Sequence, residues 1–160
     1  MKQRDLVAMT AEEVAVFLLA GRKVQLATNG QGGFPHLVTM YYVMKGGQIT
    51  FWTYRSSQKA RNLERDPRIS CLVESGQEYY DLRGVLVQGL ARRIEDPARV
   101  AEIGRLITGV LTGGGAAGPG PLADAGQLDE YVARAARKRI AFTVQPDRII
   151  SWDHAKLTPN

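Results

Sequence analysis

The residues best placed to do chemistry lie in the stretch Trp52-Thr53-Tyr54-Arg55-Ser56-Ser57-Gln58-Lys59-Ala60-Arg61-Asn62-Leu63-Glu64-Arg65-Asp66-Pro67-Arg68. The β-branched and aromatic run from Ile49 to Tyr54 gives way to two serines, which are good helix N-caps, and Pro67 marks a stop. This spacing predicts a strand, a tight connection and a short helix opening near Ser56 or Ser57. A helix dipole favours acids in the first turn and bases in the last. Here Arg55 and Lys59 stand at the start, and Glu64 and Asp66 near the finish. A bound anion would resolve the conflict, because free backbone N–H groups, two hydroxyls and two cations at one helix start suit a phosphate. The alternative is a solvated surface helix, since Lys and Arg tolerate most exposed helix positions.

The rest of the chain must position that stretch. With 160 residues and 44% hydrophobic content, one compact domain spanning 1–160 is expected. The formal charge of +5 suits an anionic ligand, but the basic residues are scattered from Arg22 to Lys156, which argues against nucleic acid. Neither a long apolar span nor a signal-peptide pattern is read, so a cytoplasmic protein with no membrane partner is expected. The single Cys71 sits between apolar neighbours and reads as core packing. Apart from Asp153 next to His154, His36 and His154 lack companions at metal-ligand spacing, and no metal is expected.

Thr10-Ala11-Glu12-Glu13 is a capping-box pattern, so a helix is predicted from about Ala11 to Ala20. A hairpin follows: Val24 to Thr28, the turn Asn29-Gly30-Gln31-Gly32-Gly33, and Pro35 to Met44. Lys45-Gly46-Gly47 turns the chain into Gln48 to Tyr54, the third strand of a meander. Beyond Pro67, strands are expected at Arg68 to Glu74 and Leu82 to Ile94, with Gly84 and Gly89 where bends or bulges would fall. An amphipathic helix carries Val100, Ile103, Leu106, Ile107, Val110 and Leu111, and another carries Leu128, Tyr131, Val132 and Ala135. Gly113 to Pro121 between them reads as a flexible connection or a flap. Two last strands are expected, Arg139 to Gln145 and Arg148 to Trp152. The class is α+β, with a mainly antiparallel sheet closed into a small barrel and flanked by helices.

Several motifs in this order resemble the split β-barrel flavin and deazaflavin oxidoreductases, the superfamily of pyridoxamine 5′-phosphate oxidase. They are Leu26-Ala27-Thr28, Gly33-Phe34-Pro35-His36, Thr53 through Lys59, Arg61-Asn62-Leu63 with Asp66-Pro67-Arg68, and Val87-Gln88-Gly89. The ending Trp152-Asp153-His154-Ala155-Lys156-Leu157 is similar to members as well. The resemblance implies a homodimer with the cofactor ring in a groove made by both subunits. It implies that Ser56, Ser57, Gln58 and Lys59 hold the cofactor phosphate. Thr39, Met40, Tyr41, Trp52 and Thr53 would face the ring, and Gln88 and residues near Glu74 would approach from the long strands.

FMN-binding members commonly show Ser-Arg-Lys in the phosphate loop and a further base on the preceding strand. This chain has Ser57-Gln58-Lys59 and nothing basic from Leu37 to Met44, so FMN would lose bidentate contacts. The pattern is closer to the branch that uses the deazaflavin F420, whose polyglutamate tail would suit Arg55 and Arg61. The implied activity is hydride transfer from reduced F420 to an electron-poor double bond or conjugated carbonyl of a small substrate, with no protein nucleophile. Tyr41, Tyr42, His36 or solvent would supply the proton. Alternatives are an FMN oxidoreductase of the same fold, or a carrier that holds a flavin, F420 or haem without turnover.

Overall fold

The computed structural model describes residues 3–111 and 125–157. Helices α1 (Gln3–Val7) and α2 (Ala11–Ala20) lead into β1 (Lys23–Asn29), β2 (Pro35–Tyr41), β3 (Val43–Lys45) and β4 (Gln48–Tyr54). Next come α3 (Gln58–Arg65), β5 (Arg68–Ser75), β6 (Arg83–Ile94), α4 (Pro97–Leu111), α5 (Ala125–Ala136) and β7 (Arg139–Asp153). The seven strands form one sheet in the order β2-β1-β5-β6-β7-β4-β3, every pairing antiparallel. The architecture is α+β, a curled antiparallel half-barrel with flanking helices, as the sequence pattern implied. The expected flexible connection at Gly113 to Pro121 lies outside the described residues.

Local chemistry explains most element ends. Thr10 and Glu13 form the reciprocal capping box: Glu13 N–H donates to Thr10 Oγ1 at 3.2 Å, and Thr10 N–H to Glu13 Oε2 at 2.7 Å. Gly46 and Gly47 take positive φ of 57° and 74° in the two-residue turn between β3 and β4, a primed hairpin geometry that residues with a Cβ disfavour. Alternate residues of β1, β5 and β6 face the interior, where Val24, Leu26, Cys71 and Val85 are fully buried. Burial pushes the Cys71 thiol up to about 12, in keeping with a packing role. Phe51 and Phe142 stack across β4 and β7 with centroids 5.5 Å apart. Such pairs contribute roughly 0.5–1.5 kcal/mol beyond their burial.

The structure corrects the meander. Pro35 to Met44 is not one strand: it breaks at Tyr42, so β2 pairs only with β1 while β3 pairs with β4 at the far end of the sheet. Tyr42 turns inward and is 1% exposed, its N–H donating to Arg22 O at 3.1 Å and its hydroxyl to Leu18 O. A side chain of that size seated in the core forces the bend. The two edge strands are therefore consecutive in the chain, and the curl closes covalently through Tyr42. A second correction concerns the last two predicted strands, which are one continuous β7. Its register against β6 shifts between Gln88 and Gly89, leaving Asp147 as the extra residue of a bulge. Gly89 is needed there, because a Cβ would collide with Gln145 O.

Candidate functional site

β4 delivers the site. Its Trp52 ring packs on Gly104 of α4, within a second apolar cluster with Val100, Ile103, Ile107 and Ala141. Beyond Tyr54 the chain turns tightly: Ser57 N–H donates to Tyr54 O at 3.0 Å, and Arg55 N–H to Lys138 O at 3.0 Å. Ser57 is the N-cap of α3, its hydroxyl accepting from Ala60 N–H at 3.3 Å. Thr53 Oγ1 donates to Ser57 Oγ at 3.1 Å and accepts from Lys59 Nζ at 3.2 Å. The ammonium of Lys59 is thus tethered over the start of the helix by neutral oxygen. Desolvation by burial lowers its pKa from the ordinary lysine value.

Three of the four charges that ran against the helix dipole find partners in distant segments or beyond the helix end. Arg55 pairs with Glu95 at 3.3 Å, Glu64 with Arg93 at 3.2 Å, and Asp66 with Arg68 at 2.7 Å. Asp66 also accepts from Asn29 Nδ2 at 2.8 Å. Lys59 alone of the four has no carboxylate partner among the described residues. The unpaired charge at the head of α3 is therefore this ammonium.

Lys59 opens onto a cleft of about 350 Å³ lined by Thr39, Met40, Tyr41, Trp52, Thr53, Tyr54, Ile107, Leu111, Tyr131 and Arg139. Six of the residues predicted from sequence meet there: Thr39, Met40, Tyr41, Trp52, Thr53 and Lys59. Ser57 supports the rim through Thr53, and Ser56 is exposed at the turn. Gln58 spends its amide on Asn62, donating to Oδ1 at 2.8 Å. Arg55 lies outside the cleft, in a separate hollow between α4 and α5 with Pro97, Ala101 and Ala133. Gln88 also lies elsewhere, donating to Ser70 Oγ at 3.3 Å in a hollow of about 470 Å³ with Asn29, Arg68 and Arg148.

Sequence reading missed Tyr54, Ile107, Leu111, Tyr131 and Arg139. The first strand residue of β7, Arg139 pairs across the sheet with Tyr54. Its guanidinium carbon lies 4.3 Å from the Trp52 ring centroid and 4.5 Å from that of Tyr54. The only signal available in the sequence was an arginine at a strand start, which says nothing about a site.

Among the described residues, two cations, four aromatic side chains, three apolar chains (Met40, Ile107, Leu111) and no acid line this cleft, which suits a planar ring that carries anionic groups. That donor set fits a flavin or deazaflavin: the ammonium of Lys59 lacks a counter-charge among the described residues, and the walls are largely aromatic and apolar. Among the candidate proton donors only Tyr41 lines the cleft. Tyr42 is fixed in the core with its ionisation pushed up by burial, and His36 sits on β2 outside the lining. At the C-terminal end, Asp153 pairs with Arg83 Nε at 3.0 Å and His154 Nδ1 meets Tyr79 O at 2.8 Å, and neither lines the cleft. Among the described residues no helix is long and apolar enough to cross a membrane.

The family model described as pyridoxamine 5′-phosphate oxidase matches residues 10–153. The conserved hypothetical protein Rv2991 from Mycobacterium tuberculosis is 37% identical, with a TM-score of 0.85 over 100% of this chain and 95% of its own. An F420 reductase is 21% identical, with a TM-score of 0.60 over 84% of this chain and 93% of its own. An FAD-binding protein from Mesorhizobium loti is 18% identical, with a TM-score of 0.65 over 90% of this chain and 94% of its own. No curated protein matches the sequence.

Proposed function

Because the chain belongs to the pyridoxamine 5′-phosphate oxidase family through residues 10–153, we propose that it is a reductase that uses the deazaflavin F420. In its reduced state that coenzyme supplies a hydride, which an electron-poor double bond or conjugated carbonyl of a small substrate accepts. The observation that carries this reading is Lys59: a partly desolvated ammonium, bound to Thr53 Oγ1 and, among the described residues, to no carboxylate, at the edge of a cleft whose described lining holds no acid. Lys59 and the exposed Ser56 hold the anionic arm at the start of α3. Thr39, Met40, Tyr41 and Trp52 line the space for the ring and keep water from its face. Tyr41, 40% exposed, or solvent provides the proton that must follow the hydride.

The preference for F420 over FMN rests on two features. Gln58 stands where a second phosphate-gripping arginine would be useful, and its amide is committed to Asn62. No lysine or arginine lies on β2. In this reading the working unit is a homodimer, with the Gln88 hollow of a second copy closing the groove. A carrier that holds the coenzyme without turnover would use the same cleft. The two are separated by mixing the protein with reduced F420 under anaerobic conditions and adding a panel of enones and quinones. Return of the oxidised coenzyme's absorbance faster than in protein-free controls supports the reductase. Rates equal to those controls across the panel, with the coenzyme still bound, support the carrier.

A further inference from the structure

We propose that Arg139 is a carboxylate-binding residue of the cleft, and that the hydride acceptor is therefore a planar unsaturated acid. The inference rests on the reading of the cleft as a coenzyme and substrate site, and it names the substrate class. Four arginines on elements around Arg139 are engaged, Arg55 with Glu95, Arg92 with Gln145, Arg93 with Glu64 and Glu95, Arg105 with Asp129, whereas Arg134 beside it is exposed at the end of α5. Arg139 has no acceptor among the described residues, and its Nε is a buried donor left unpaired. Buried donors are rarely left so in a finished site.

Its setting defines what it takes. The guanidinium packs against the rings of Trp52 and Tyr54, with carbon-to-centroid distances of 4.3 Å and 4.5 Å. Ring contact orients the group, and with Nε enclosed it is the pair of terminal NH2 groups, on the cleft lining, that a bidentate acceptor would meet. A carboxylate matches that edge in plane and in spacing. Its carboxylate source is either the acceptor or the glutamate tail of the coenzyme. The neighbouring walls favour the acceptor, because Ile107, Leu111 and Tyr131 offer apolar surface to it in the same cleft, whereas a glutamate tail carries a charge on every residue. Lys59, at the helix start, serves the other anion.

Binding, not turnover, tests this. Wild-type protein, Arg139→Gln and Arg139→Lys are titrated calorimetrically with trans-cinnamate and with its neutral amide, after thermal melts establish that each variant is folded. Fluorescence titrations with F420 and with its tail-free form run alongside. Cinnamate affinity is expected to fall roughly tenfold or more in Arg139→Gln. Arg139→Lys keeps the charge and retains part of the affinity, the amide binds weakly to all three, and both coenzyme forms bind all three alike. Equal binding of acid and amide, no cinnamate binding by the wild type, or unchanged cinnamate affinity in Arg139→Gln overturns the proposal. So does a loss in Arg139→Gln that is confined to the tailed coenzyme, which assigns the residue to the tail. If F420 fails to bind while cinnamate binding depends on Arg139, the coenzyme assignment falls and the carboxylate site stands.

Discussion

Lys59 Nζ donates to Thr53 Oγ1 at 3.2 Å, and that same hydroxyl donates onward to Ser57, the cap of α3. The last turn of β4 and the first turn of the helix are thereby locked around one ammonium. Among the described residues the ammonium faces neutral oxygen and no acid, so burial leaves its charge without compensation. An anion entering the cleft supplies the missing counter-charge.

That geometry fixes a pH dependence. Burial lowers the Lys59 pKa from 10.5, and a bound anion raises it again, so binding requires the protonated form. If F420 is the ligand, its affinity is expected to be complete below the lowered pKa and to decline as pH rises through it, at a pH below that of free lysine. The Lys59→Arg variant carries a guanidinium that stays charged, and its profile is expected to be flat over the same range. Fluorescence titrations at stepped pH compare the two proteins.

Trp52 and Gly104 make the second prediction. Alanine in place of a helical glycine ordinarily stabilises by about 1 kcal/mol. In α4 the added Cβ would collide with the Trp52 ring, so Gly104→Ala is expected to cost about 1–3 kcal/mol instead. Displacing Trp52 also moves a wall of the cleft, and F420 affinity falls with stability. Urea melts and coenzyme titration of the same preparation read both effects.

Asp66 contributes to acid behaviour. Hydrogen bonds from Arg68, then from Asn29, hold its carboxyl well below the ordinary carboxylate range. Its stabilising contribution is therefore present above the usual Asp pKa of about 3.9 and is lost as pH falls through the lowered folded value. Asp66→Asn is expected to melt at a lower temperature than wild type at pH 7. The gap narrows as pH drops below about 4, and thermal melts from pH 7 to pH 2 follow it.

Much of the site's frame was legible because its determinants are local. A serine cap, a two-glycine turn and a Thr-x-x-Glu box act over a few residues, and each occurs where its spacing placed it. The break at Tyr42 was not legible, since the residues from Pro35 to Met44 suit a strand throughout. What bends the chain is the burial of the Tyr42 ring in the core, with its hydroxyl donating to Leu18 O 24 residues away. Arg55 illustrates the same limit from the charge side: its partner Glu95 lies 40 residues along. Arg139 was invisible because it joins the cleft only through the pairing of β7 with β4.

The role of Lys59 as the anchor of a deazaflavin is tested most directly by fluorescence titration of the wild type and Lys59→Ala with F420, with FMN in parallel. Tight F420 binding by the wild type is expected, together with weaker FMN binding and at least a tenfold loss of F420 affinity in a folded Lys59→Ala, the size set by one charge-assisted contact. Equal F420 affinity in the two proteins, or a strong wild-type preference for FMN, would contradict it.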